Sequence, residues 1–369
     1  MASLLLGPLG QFGKAFTPPQ FNATAYDGPE YVVWKWIVFR PGLFHIEIYL
    51  LAAVITYLAF FWFGSGANSK KASAWLNAHK ALYDSQFSRP LDGGLTKDGY
   101  SDMFAFSTGR RALRSLHTVF TLRPRHDLLQ LLFQFGWANV YDLSYEPRDT
   151  LTLEFALAED YAAPDAVFAI VAKDEMGTIR KERWDLSFTK TSENPALPAH
   201  LTVMSEFADV TDSLFKAGVP LLAALKDPQA KRYFRSLIIS DQPLVQPDEA
   251  PVTRSRSLVL TLTPPPPSEA DATVSLVTAV FALIDTLDKL GLRPETKIKL
   301  RKAREDFTAK LREARDREAK EEAADARAAA KKKAEDERIA GLSATEQAKI
   351  LERERKRNLR KGQGKMVRK

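Results

Sequence analysis

The 369-residue chain contains no cysteine. Disulfides, thiolate metal centres and cysteine nucleophiles are therefore excluded, which fits a domain facing the reducing cytosol. Histidine is scarce too: His45, His79, His117, His126 and His200 are dispersed and never pair at metal-ligand spacing. There is no glycine-rich phosphate loop, HExxH helix, nucleophile elbow or kinase-type motif set. Glu206, Asp209 and Asp212 in SEFADVTD lack the glycine and ligand count of a calcium loop, and read as helix-start capping and solvation. These absences predict a non-enzymatic protein with no cofactor. MASLLLGPLG at the start is too short and too uncharged to read as a signal peptide, so targeting is expected to fall to an internal apolar segment.

Only one apolar run reaches membrane-spanning length. Residues 43–63, LFHIEIYLLAAVITYLAFFWF, match the ~20 residues that cross about 30 Å of hydrocarbon as a helix. Pro41 can start that helix, Gly64-Ser65-Gly66 is expected to stop it, and Trp34, Trp36 and Trp62 suit the interfacial belts. His45 and Glu47 fall in the first turn and a half. They read as headgroup-depth residues reaching water, with a partner contact of Glu47 inside the bilayer as the alternative. Lys35 and Arg40 flank the N-terminal side, and Lys70, Lys71 and Lys80 the C-terminal side, which favours a cytosolic C-terminus by one charge. The single glycosylation sequon, Asn22-Ala23-Thr24, lies on the opposite, N-terminal side and agrees with that direction.

Residues 72–290 read as one mixed α/β domain on the membrane surface. Strands are expected at Met103–Ser107, Leu151–Leu157, Ala166–Ala172, Phe234–Ser240 and Ser257–Thr263. Helices are expected at Arg110–Leu122, at Val210–Leu225 with a break at Pro220, and at Thr273–Leu290 closed by Gly291. His126–Trp137 is apolar almost all round; burial is the expectation, and a helix lying against the membrane the alternative.

Charge is strongly segregated. Pro294–Lys369 carries 25 Lys/Arg and 15 Asp/Glu, whereas the rest of the chain carries 28 and 31, so the net +7 belongs to the tail. Residues 294–348 are Ala-, Glu-, Lys- and Arg-rich and predict a long solvated helix. Leu300, Ala303, Phe307 and Leu311 make only a short coiled-coil-like stripe. In the basic tail, 349–369, Lys349, Arg353, Arg355, Lys356, Arg357, Arg360, Lys361, Lys365, Arg368 and Lys369 stand against two glutamates. Such an arm suits RNA phosphates or anionic lipid. Aromatics are absent after Phe307, so any RNA contact is expected to be backbone-directed and salt-sensitive.

Three stretches carry a family resemblance. ASAWLNAHKALYDSQFS at 72–88, VMSEFADVTD at 203–212 and SLIISDQP at 236–243, with the basic end, resemble in content and order the calumin family, the coiled-coil-containing subunit of the PAT complex of the endoplasmic reticulum. The resemblance covers roughly residues 40–369. It implies a single-pass membrane protein of the endoplasmic reticulum with a lumenal N-terminal segment (1–42) and a cytosolic C-terminus. It implies an intramembrane chaperone working with the small membrane protein Asterix at the ribosome-bound Sec translocon and other multipass-translocon subunits, serving nascent multipass proteins. Animal members carry a long acidic lumenal region associated with calcium; here residues 1–42 hold only Asp27 and Glu30 as acids, so calcium binding is not carried over. A membrane tether whose tail binds anionic lipid, with no ribosome role, is the alternative.

Overall fold

The computed structural model of the chain describes residues 27–33, 37–141, 147–247, 256–341 and 356. A short antiparallel pair, β1 (Tyr31–Val33) and β2 (Ile37–Phe39), precedes the apolar run. Helix α1 then extends unbroken over 42 residues, His45–Gln86, about 63 Å at 1.5 Å per residue. The expected stop at Gly64-Ser65-Gly66 does not occur. Each glycine disfavours helix by about 1 kcal/mol. That is outweighed by the stripe that follows, where Ala72, Trp75, Leu76, His79 and Tyr83 recur at helical spacing and are all buried. Gly64 is there for another reason: a Cβ on it would lie 1.9 Å from the Arg125 carbonyl oxygen. It is a close-packing glycine, not a terminator.

The sheet that receives α1 has nine strands: β3 (Arg89–Lys97), β4 (Asp102–Thr108), β5 (Leu113–Thr121), β6 (Thr150–Leu157), β7 (Phe168–Ala172), β8 (Lys190–Ser192), β9 (Leu201–Ser205), β10 (Phe234–Ser240) and β11 (Ser257–Leu262). Its order is β3-β4-β5-β6-β11-β10-β7-β9-β8, with every neighbouring pair antiparallel. The α/β mixture is thus realised without parallel crossovers. Between strands lie α2 (Leu128–Val140), α3 (Met176–Glu182), α4 (Ala208–Ala217), α5 (Val219–Lys226), α6 (Pro228–Tyr233) and α7 (Val274–Ile284).

One face of the sheet is covered by the second half of α1 and by α7. Trp75 meets Phe120 edge-on at 5.6 Å, and Phe281 is met by Phe87 at 5.8 Å and Phe155 at 5.4 Å. On the opposite side of β7, β9 and β10, Val167, Ala169, Val171, Leu186, Met204 and Ile238 form a second buried cluster, with Met176 and Ile179 packed against it. A further helix, α8, runs from Pro294 to Ala340 over 47 residues, with i,i+4 ion pairs Arg301–Glu305 and Arg317–Glu321.

Strands β4, β6, β7, β10 and β11 fall where the alternating and apolar runs place them. Arg110–Leu122 is corrected from helix to strand β5. The register of β5 on β6 shifts between Leu113 and Ser115, so buried Leu113 and Leu116 are three apart before Leu116, Thr118 and Phe120 settle into alternation. That bulge imitates a helical spacing. Pro220 does not break a helix; it occupies the first turn of α5, and the break falls at Gly218, where a Cβ would meet the Leu214 carbonyl at 2.9 Å. The last domain helix ends at Ile284 rather than Leu290, with a short 3-10 turn at Leu287–Lys289 after it. Finally, α2 forms as expected but none of its residues is buried, which overturns the burial expectation.

Candidate membrane anchor and its junction with the domain

The first half of α1 offers lipid-facing chemistry and little else. Among the described residues it is the one helix long and apolar enough to cross a membrane, and none of that apolar stretch is buried. Thr56, a polar residue within it, satisfies itself by donating its hydroxyl to the Ala52 carbonyl at 2.8 Å. Glu47 is exposed in the first turn, where a carboxylate complements the helix dipole.

Where the apolar stretch ends, the helix is clamped by polar groups drawn from distant parts of the chain. Asn68, fully buried, donates to the carbonyls of Tyr100 and Arg123, both at 3.0 Å, and accepts from Arg125 at 2.9 Å. One turn on, Lys71 pairs with Asp149 at 2.7 Å, and Asp149 also binds Arg125 through both oxygens and the Arg123 N–H at 2.8 Å. Burial by itself would raise the Asp149 carboxyl. Arg125, the Arg123 N–H and Lys71 overcome it and hold the group well below the usual carboxylate range. This cluster fixes the position of the span relative to the sheet.

Deeper in, Trp75 stacks on His79 at 3.7 Å. The Trp75 indole donates to the Thr273 hydroxyl oxygen at 2.9 Å. His79 Nδ1–H donates to the Trp75 carbonyl at 2.9 Å, so its Nε2 accepts from the Thr273 hydroxyl at 3.2 Å. Burial lowers the His79 pKa to about 4, against smaller opposing effects of its hydrogen bonds and Asp271. The imidazole is thus a neutral core element tying α1 to α7. Tyr83, whose hydroxyl lies 2.7 Å from that of Thr118, is pushed upward by burial.

The other groups singled out in the sequence do not converge. His117 lies 3.8 Å from Glu154, His126 packs against Phe61, and His200 stands elsewhere. Glu206 accepts from the Val167 N–H at 2.7 Å, Asp209 from the Arg293 N–H at 3.0 Å, and Asp212 is exposed. Among the described residues no three His, Asp or Glu gather as a metal site. A polar cavity of about 700 Å³ includes Arg148, Glu175, Arg183 and Arg235, but its charges answer one another: Glu175 pairs with Arg148 at 2.7 Å and Arg235 at 2.8 Å, and Arg183 pairs with Asp185 at 2.7 Å. Asn22 and, apart from Lys356, the residues of the basic tail lie outside the described residues; Lys356 is helical and exposed. Sequence reading missed the Asn68–Lys71–Arg125–Asp149 junction. Lys71 and Asp149 are 78 residues apart, and no local pattern marks the members.

The fold and junction define a class: a protein in which one helix carries both an apolar stretch long enough to cross a membrane and a face packed into the core of an antiparallel α/β domain. More narrowly, the family model described as PAT complex subunit CCDC47 matches residues 43–361, and the chain belongs to that family. It is 30% identical over 338 residues to the UPF0674 endoplasmic reticulum membrane protein C2G5.01 of Schizosaccharomyces pombe, covering 88% of this chain and 87% of that one. It is 27% identical to the PAT complex subunit CCDC47 of Danio rerio, covering 69% of this chain and 56% of that protein. With the Homo sapiens protein of the same name it shares 26%, covering 76% and 60%. The chain thus spans little more than half the length of these vertebrate relatives.

Proposed function

We propose that this protein is a non-enzymatic subunit of an intramembrane chaperone in the endoplasmic reticulum membrane, assisting insertion of multipass membrane proteins. Membership of the PAT complex subunit family carries the reading, and the exposed apolar half of α1 supports it. In this proposal the span crosses once over residues 43–63. Residues 1–42 with Asn22 are lumenal, and the domain of 72–290 is cytosolic. An Asterix-like small membrane protein and the Sec translocon are the neighbours in the bilayer, with Glu47 a candidate contact.

The segment 294–348 and the basic arm from Lys349 to Lys369 are assigned to the ribosome, through rRNA phosphates. The net positive tail and its lack of aromatics support backbone contact over base recognition. Purification from mild detergent should bring down a small membrane protein, translocon subunits and ribosomes. Deleting 294–369 should abolish salt-sensitive co-sedimentation with ribosomes while leaving the membrane partners bound. Undiminished sedimentation would remove the tail's role. Retention of the tail by anionic liposomes, unaffected by competing ribosomes, would favour the lipid tether instead.

A further inference from the structure

Helix α2 inverts the pattern of a soluble surface helix. Leu128 to Val140 reads LLQLLFQFGWANV, without a charge. At 100° per residue, Leu129, Leu132, Phe133 and Val140 share one face and point outward, with Phe133 64% and Val140 76% exposed. The half-buried Leu131, Gln134 and Ala138 turn inward on the opposite side. Phe135, Trp137 and Tyr141 are exposed too, with Trp137 stacked on Tyr141 at 4.8 Å. The helix is not a frayed accident. Asp127 caps it, accepting from the N–H groups of Leu129 at 3.0 Å and Gln130 at 3.1 Å.

The position of α2 tells what covers this face. The loop leading into it touches α1 where the apolar run ends: Gly64 abuts the Arg125 carbonyl, and Phe61 meets Tyr100 at 4.7 Å and His126 at 6.1 Å. Trp62 and Phe63, each 80% exposed, continue the same lipid-facing surface at that level. A charge-free apolar face beginning at the rim of a span lies at the depth of the leaflet boundary.

We propose that α2 is an in-plane membrane helix, its Leu129–Leu132–Phe133–Val140 face embedded in the leaflet on the domain side, so that the protein holds the bilayer at two points. The occupant is lipid, not a protein partner. The proposal does not depend on the chaperone assignment.

The absence of cysteine makes the test direct. Single cysteines at Phe133→Cys and Val140→Cys are spin-labelled in the full chain, reconstituted alone into phosphatidylcholine nanodiscs. Leu51→Cys is the lipid control and the exposed Asn77→Cys the water control. Both test positions point outward, so the labels are tolerated, and retained melting temperature confirms it. The expected result is oxygen accessibility several-fold above that of a water-soluble nickel chelate at 133 and 140, as at 51 and opposite to 77. Accessibility to the nickel chelate at both positions would overturn the proposal. So would shielding from both reagents, which would mark the face as covered by protein.

Discussion

Acidification should destabilise the domain through His79. Its pKa is about 4 in the folded protein against the ordinary 6.5, because burial against Trp75 disfavours the imidazolium. The lowered value means that the folded state binds its proton later than the unfolded chain does. The neutral group's contribution is therefore complete above pH 6.5 and is lost as pH falls from there toward 4. At pH 5.5 the unfolded chain is about tenfold stabilised by protonation of this side chain while the folded one is barely titrated, a loss of about 1.4 kcal/mol. By pH 4 the loss approaches about 3 kcal/mol. Urea unfolding of the detergent-solubilised chain, followed by tryptophan fluorescence at pH 7.5 and 5.5, measures this directly. His79→Gln should be less stable than wild type at pH 7.5, since it loses the stack and part of the Thr273 network. It should also show a pH dependence smaller by about 1.4 kcal/mol. His200, also lowered by burial and by Lys231, titrates in both proteins and cancels in the difference. An identical pH dependence in the two proteins would refute the neutral, buried imidazole.

Gly64→Ala should cost about 2–3 kcal/mol, because its Cβ collides with backbone at Arg125, while Gly66→Ala, with nothing within 4 Å, should be neutral or stabilising by up to about 1 kcal/mol. Equal melting temperatures for the two variants would remove the close-packing role of Gly64. Asp149→Asn strips Lys71 and Arg125 of their shared carboxylate and should destabilise by about 3 kcal/mol in denaturant titrations. Since Asp149 is held below the usual carboxylate range, its stabilising effect is present above about pH 4 and should fade only in strong acid. Thr118→Val leaves the buried Tyr83 hydroxyl without its partner and should cost about 1–3 kcal/mol, with a Tyr83→Phe, Thr118→Val double variant recovering part of the loss.

What could be read in the chain beforehand depended on whether the signal was local. The span and the alternating strands β6 and β11 declare themselves within a few residues, as does the unbroken apolar run of β7. Strand β5 did not, because its bulge shifts the buried positions into a helix-like spacing. Strand β3 hid for a different reason. It is an edge strand carrying Pro90, Gly93 and Gly94, with Leu91, Gly93 and Gly94 at positive φ, and such a sequence reads as a loop unless the neighbouring strand is known. The junction around Asp149 was out of reach in principle, since a lone Asp in SYEPRDT shows nothing of the Lys71 and Arg125 that fold onto it.

The misread glycines matter most for how the molecule works. A helix ending at Gly64 would leave the domain on a flexible tether, free to tilt and turn below the bilayer. With α1 continuous, the residues facing lipid and those packed on the sheet belong to one rod. Asn68 locks that rod to the loop that enters α2, and Lys71 locks it to Asp149 ahead of β6. Rotating the span by one residue, about 100°, would drag Trp75 off Thr273 and Asn68 off its two carbonyls. The domain's fold therefore sets the azimuth of every side chain on the apolar half of α1, Glu47 included. The apolar half of α1 thus has an orientation set by buried polar contacts just beyond its end rather than by packing along it.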